Sequence, residues 1–494
     1  MHFREPTISI AGMKPFRITL DALIRKLSAP ETRFYAFAIF FGIVFFTGGG
    51  SRDDIQSLLL LRPLAILFCA YALTVKAPDH WRGRMFPLYI AGALMVLMVL
   101  QLIPLPPSIW TASPERQIFA DIANIAGIEQ PWRPLTLSPS KTLNSLFSLA
   151  VPIAAMMLYL NLDRGYRKRV ISVIIVLCSI SALWAIFQII GPARGPLYIY
   201  RITNFGAGVG LFANRNHQAV VLASTIVMLG WYAGSLRPNV KQAALKFYAS
   251  NATIFILAPL ILIIGSRAGL LLMIPGLVLA LFLIYFGEYN LGGTRKKRTT
   301  DLSKNRLFSD RRALLAISIL IISGMATASF LLSRSLAFDR LFRGNEVEEL
   351  RVQLLPTLFT MLKDYMPWGS GFGSFEHVYK IYEPQELLRP NYLNQAHNDW
   401  LQYLIEGGIP ALLIVICAAT WFAARVWIAA INWRGVNPAK YTALMCIAVI
   451  GFLLAASIGD YPLRVPSIMA LAAVLICVFN DSIGSIQRRA INWR

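Results

Sequence analysis

Charge is scarce in this sequence. Asp, Glu, Lys and Arg make up 15% of its 494 residues, against roughly 25% in a soluble domain. Apolar residues account for 56% and the mean hydropathy is +0.57. Runs of about 17–25 apolar residues, the length that crosses about 30 Å of hydrocarbon, recur along the chain. A soluble globular protein is therefore excluded. Cysteine is scarce as well: Cys69, Cys178, Cys417, Cys446 and Cys477 all fall inside apolar runs. No loop disulfide or thiolate metal cluster is expected, and these residues read as small buried hydrophobes. There are five histidines, with no paired histidine–carboxylate spacing and no Asp-x-Asp near an outer span end that would hold a metal. No small-residue cleavage site stands out near the basic first thirty residues, so the first apolar run is expected to stay as a membrane helix. Neither an internal repeat nor a nucleic-acid module is recognisable. The net charge of +22 is read through its placement, because cytoplasmic loops collect Lys and Arg.

The alternation of basic and mixed loops predicts an all-α polytopic membrane protein with about twelve spans and both ends inside. The spans are expected near 34–49, 55–75, 86–103, 142–161, 170–190, 214–233, 252–265, 270–286, 313–332, 408–428, 441–458 and 465–481. The chain then divides into a cytoplasmic N-terminal segment (1–33), nine spans (34–333), a large outer loop (334–407) that carries the candidate site, three spans (408–481) and a cytoplasmic tail (482–494). The basic run Arg295–Arg298 reads as a topological determinant, and Arg62 beside Pro63 is expected to face the bundle or a polar cavity. Trp110 and Trp132 are expected to be interface anchors. Within the large loop, leucines near helical spacing predict an amphipathic helix over Glu346–Tyr365. A second helix is expected to start near His397 and to bend at Gly407-Gly408 into the next span. His377 is expected to pack beside Phe375 and Tyr379.

This topology gathers polar residues at the outer ends of the helices. They are Arg201, Asn214, Arg215, Asn216 and His217, then Arg267, then His397, Asn398 and Asp399, and finally Asp460 and Arg464. Arginine presents planar donors that suit phosphate oxygens. Helix N-termini add positive dipole ends, and histidine can take a proton near neutral pH. The cluster suits an anionic headgroup. Plainer readings stand beside this one: a snorkelling Arg267, Asn214 and Asn216 as helix caps, and His217 as a satisfied buried histidine.

His397-Asn398-Asp399-Trp400-Leu401 followed by Glu406-Gly407-Gly408-Ile409-Pro410 resembles the signature of the O-antigen ligase and polymerase superfamily. Pro367-Trp368-Gly369-Ser370-Gly371-Phe372-Gly373 is similar to its Gly-rich turn. Gly210-Leu211-Phe212-Ala213-Asn214-Arg215-Asn216 resembles its Gly-x-Phe-x-Asn-x-Asn segment, and Ser266-Arg267-Ala268-Gly269 its arginine hairpin. The resemblance implies an inverting glycosyltransferase, working without metal or cofactor, that moves a glycan from undecaprenyl diphosphate to an acceptor hydroxyl on the periplasmic face of the inner membrane. It implies that His397 deprotonates or orients the acceptor and that Arg267 engages the diphosphate, with Arg201 or Arg215 as the second arginine. The acceptor is lipid A-core for a ligase and a lipid-linked repeat for a polymerase, and the motifs do not separate the two. A transporter of lipid-linked glycan is the rival of a different class.

Overall fold

The computed structural model describes residues 20–236, 242–287, 346–388, 393–432 and 438–491. The expected ninth span near 313–332, the basic run Arg295–Arg298 and the start of the large loop lie outside the described residues. Among those described, eight helices are long and apolar enough to cross a membrane: Pro139–Leu160, Arg164–Ile190, Arg215–Ser235, Ala243–Ile264, Arg267–Phe286, Asp399–Ile431, Pro438–Ala456 and Pro466–Arg488. Two shorter apolar helices, Leu58–Thr74 and Phe86–Leu102, and the 18-residue helix Pro30–Thr47 complete the bundle. The described chain is all-α apart from a two-stranded antiparallel pairing of Pro104–Leu105 with Arg133–Pro134.

Arg215–Ser235 is the central helix, with 83% of its apolar window buried, whereas Asp399–Ile431 runs along the outside with 6% buried. The central helix and Arg267–Phe286 lie side by side and parallel. A Cβ on Gly269 would meet Ala219, one on Gly230 would meet Ala280, and one on Gly234 would meet the Leu283 backbone. Small residues at such crossings let helix backbones approach closely, which is how helices associate where lipid removes the hydrophobic drive. This parallel arrangement puts the starts of both helices, Arg215 and Arg267, at one end of the bundle. The same end collects Gly48 and Gly49, whose carbonyls accept from Ser467 and Ala213, and Ser457, whose carbonyl accepts from Asp399.

Four local expectations are corrected. The helix expected at 252–265 begins at Ala243. In its polar first half Ser250 and Asn251 donate back to the carbonyls of Lys246 and Phe247, so their side chains are satisfied within the helix. Trp110 is no interface anchor: it is 2% exposed and its indole donates to the Pro131 carbonyl. Phe375 and Tyr379 stack on the buried face of the Phe375–Tyr382 helix, while His377 is on its exposed face. Cys178, Cys446 and Cys477 are buried, but Cys417 is exposed on the peripheral helix. Arg62 turns to the bundle as expected and donates to Ser148 at 3.2 Å.

The Glu346–Asp364 helix buries Leu354, Leu358 and Met361 with Tyr365, Phe375, Tyr379 and Ile405 in a small second core. That core is fixed to the bundle by a break in the Asp399–Ile431 helix, where Gly408 has φ 60° and ψ −154°. Pro410 has no N–H to offer the Glu406 carbonyl, a standard cause of helix kinks. Gly371 N–H and the Gln101 amide take that oxygen instead, at 2.9 and 3.0 Å. The Ile405 carbonyl accepts from Ser370, and Ile409 donates to Pro367. The Gly-rich turn and Gln101 thus pair the Ile405 and Glu406 carbonyls and the Ile409 N–H at the break, as a helix in or near lipid requires. A Cβ on Gly408 would overlap the Pro367 carbonyl, and one on Gly369 would overlap that of Glu406. Gly408→Ala is expected to destabilise the fold by about 3 kcal/mol or more from backbone strain and overlap together. Gly451→Ala, in an open helical position, should be neutral or stabilising. Thermal unfolding of the two detergent-solubilised variants checks this, and equal midpoints would contradict it.

Candidate functional site

Five polar side chains converge on Asp460, which sits in the 457–465 turn between two helices and is 3% exposed. The Asn216 amide donates to Oδ2 at 2.8 Å and that of Asn214 at 3.4 Å, while the Tyr461 N–H donates to Oδ1 at 3.0 Å. His397 Nδ1 is 3.4 Å from Oδ1, His217 Nε2 3.8 Å from the same oxygen, and an Arg351 nitrogen 3.7 Å from Oδ2. Neither imidazole is aligned for a hydrogen bond to the carboxylate, and both make electrostatic contacts with it. The Tyr461 ring lies against both imidazoles, 5.2 Å from His217 and 4.9 Å from His397. Arg351 is held in place by a 2.8 Å bond to the Gly459 carbonyl.

Burial is the largest influence on the Asp460 carboxyl and would raise its pKa. The two imidazoles outweigh it and hold the group well below the usual carboxylate range. A depressed folded value means stability that is complete above the unfolded value of about 3.9 and lost as the pH falls through the folded value. The stability gap between the wild type and Asp460→Asn should therefore be full above about pH 4 and narrow below it. Unfolding midpoints from pH 7 down to pH 3 test this, and a gap independent of pH would overturn it.

The local sequence explains how these groups are presented. Asn214 caps the Arg215–Ser235 helix by accepting from Asn216 N–H. Asn216, which the sequence also allowed as a cap, is left to grip Asp460. His397 has φ 51°, a left-handed conformation unusual for a residue with a Cβ. Asn398 follows it as the N-cap of the Asp399–Ile431 helix, accepting from Leu401 N–H. Chain reversal at His397 and helix initiation at Asn398 together turn the imidazole toward the 457–465 turn.

Beside this cluster lies a second, buried one. Arg464 pairs with Asp399 at 3.1 Å and with Glu406 at 3.2 Å. Glu406 is 0% exposed and also receives the Gln402 amide at 3.0 Å. Asp399 accepts further from Ser457 and from Leu463 N–H. Its partners make Asp399 a tie between the Asp399–Ile431 helix and the last turn.

The remaining sequence candidates fall as follows. Arg267 is the first residue of its helix, after the N-cap Ser266, and Gly269 just beyond it packs on Ala219. It thus lies at the His217 end of the bundle. Arg215 opens the central helix and its N–H is taken by Asn204. Arg201 is exposed on the preceding loop, and its charge acts on Asp54. Arg351 and Glu406 were not anticipated. Arg351 read as the polar face of an amphipathic helix and Glu406 as a helix end, and neither carries a local signal of its partner. Asp460 was legible as the sole carboxylate of the last outer turn.

Residues 252–416 match the O-antigen ligase family. The match supports placing the protein in the O-antigen ligase and polymerase superfamily. It spans about a third of the chain and contains Arg267, the Gly-rich turn, His397 and the Gly408 break. Asn216, His217 and Asp460 lie outside it, so the O-antigen ligase segment and the flanking helices meet at His397. No curated protein matches the chain.

Proposed function

We propose that the protein is an inverting, metal-independent glycosyltransferase of the O-antigen ligase type. It acts at the periplasmic face of a bacterial inner membrane and transfers a glycan from undecaprenyl diphosphate to an acceptor such as lipid A-core. The observation that carries this reading is the pairing of His397 with the buried Asp460 at the same end of an O-antigen ligase-like bundle as Arg267. The carboxylate favours the proton on Nδ1 of His397, which leaves Nε2 as the base for the acceptor hydroxyl. As the acceptor oxygen forms its bond to the anomeric carbon, the bond to the diphosphate oxygen breaks on the opposite face. The diphosphate leaves with the electron pair. Arg267, with Arg215 or Arg201, stabilises the charge growing there, a task for which fixed guanidinium groups suffice. Asn214 and Asn216 hold Asp460, Asn398 fixes the turn that carries His397, and Asp399 with Arg464 anchors the loop to the bundle. Arg33, Arg84 and Arg167 cluster at the other end of the bundle around Asp163 and Asp481. That distribution supports a cytoplasmic assignment there.

The test is reconstitution into vesicles with radiolabelled undecaprenyl-diphosphate glycan, chelator and candidate acceptors. Label appearing on lipid A-core supports the ligase. Lengthening of the lipid-linked glycan makes the protein a polymerase of the same superfamily. Movement of the precursor across the bilayer with no transfer replaces the enzyme by a transporter.

A further inference from the structure

At the end of the bundle away from His397 is a cavity of about 670 Å³. Asp481 in its wall lies fifteen residues beyond Pro466 on one helix, about 22 Å along the axis from the Arg464 turn. The cavity is lined by Arg82, Arg84, Arg425 and Arg488 with Asn480 and Asp481. Asp481 is already engaged by Arg84, Arg167 and the Tyr159 hydroxyl. Arg82, Arg425 and Arg488 have no carboxylate partner among the described residues. Three unpaired guanidinium groups around one concavity repel one another unless an anion joins them. Behind the lining, Arg425 lies 5.6 Å from the Trp421 ring, which stacks on Phe86 at 4.7 Å. Trp427 is 67% exposed nearby on the same helix, and tryptophan of this kind marks the level of lipid headgroups.

We infer that this cavity is a binding site for a phosphate-bearing anion. Arginine forks match phosphate oxygens, the amide of Asn480 adds a donor, and basic pockets between spans suit anionic headgroups. The two sources of such a group are a bilayer phospholipid and a soluble phosphate ester. The site is independent of the transfer chemistry above.

The experiment uses the full chain in nanodiscs and reads lipid retention by native mass spectrometry, for wild type and Arg425→Gln/Arg488→Gln. In nanodiscs of mixed phosphatidylglycerol and phosphatidylcholine, the wild type should retain phosphatidylglycerol. The double variant should retain it about thirty-fold more weakly, from roughly 1 kcal/mol per arginine, with phosphatidylcholine unchanged. Glycerol 3-phosphate binding to the wild type and not to the variant, without lipid selectivity, would support the site with a soluble source. Equal behaviour of both proteins toward both ligands overturns the inference. Because neither arginine has a carboxylate partner among the described residues, the unfolding midpoint should be unchanged. Neither readout measures transfer, so failure here is distinct from failure of the proposed function.

Discussion

His397→Asn is expected to lower glycan transfer by about 10²–10⁴-fold, the usual contribution of a positioned general base. Asparagine is the informative replacement. The backbone at His397 is left-handed, and asparagine tolerates that conformation better than alanine. It removes the titratable ring without adding backbone strain. The unfolding midpoint should therefore stay near that of the wild type while turnover collapses. Donor binding, attributed to the arginines, should change little, so the loss is expected in kcat rather than KM. A variant that keeps within a few-fold of wild-type turnover would remove His397 from the reaction. Equal loss of turnover and folding would show that the histidine holds the turn and nothing more.

The second large effect concerns stability. Arg464→Met should destabilise the protein by about 3–5 kcal/mol, the range for removing one partner of a buried ion pair. Arg464 is the cation that faces both Glu406, which is fully buried, and Asp399. Without it, two carboxylates are left in a site that burial already penalises. Adding Glu406→Gln to Arg464→Met removes one of those charges and keeps a hydrogen-bonding partner for Gln402, so part of the loss should return. Unfolding of the single and double variants in detergent checks this. A double variant no more stable than Arg464→Met would mean that Glu406 does not feel the arginine.

The sequence was informative where local rules decide the structure and silent where partners come from distant segments. Apolar runs marked the positions of the described spans, because hydrocarbon thickness imposes a length. The bend at Gly408 was readable from two glycines ahead of Pro410. The helix at Ala243 started earlier than hydropathy indicated, and its polar Ser250 and Asn251 are accommodated by bonding to helix carbonyls. His377 was misplaced because helical phase, not its aromatic neighbours, decides which face it occupies. Asn214 and Asn216 stand two residues apart, and only the N-cap geometry tells which one is free to reach another turn. Arg351 and Glu406 meet partners more than fifty residues away. No spacing rule covers that distance.

The glycan donor is proposed to react at the His397–Asp460 end of the bundle. The measurement that addresses it most directly is cross-linking with a photoactivatable undecaprenyl-diphosphate glycan in vesicles, followed by peptide mapping. Labelled peptides are expected from the 214–217, 267–270 and 397–401 stretches, with labelling competed by unmodified donor. Competed labelling confined to the 82–84, 425–432 and 480–488 stretches at the other end would contradict it.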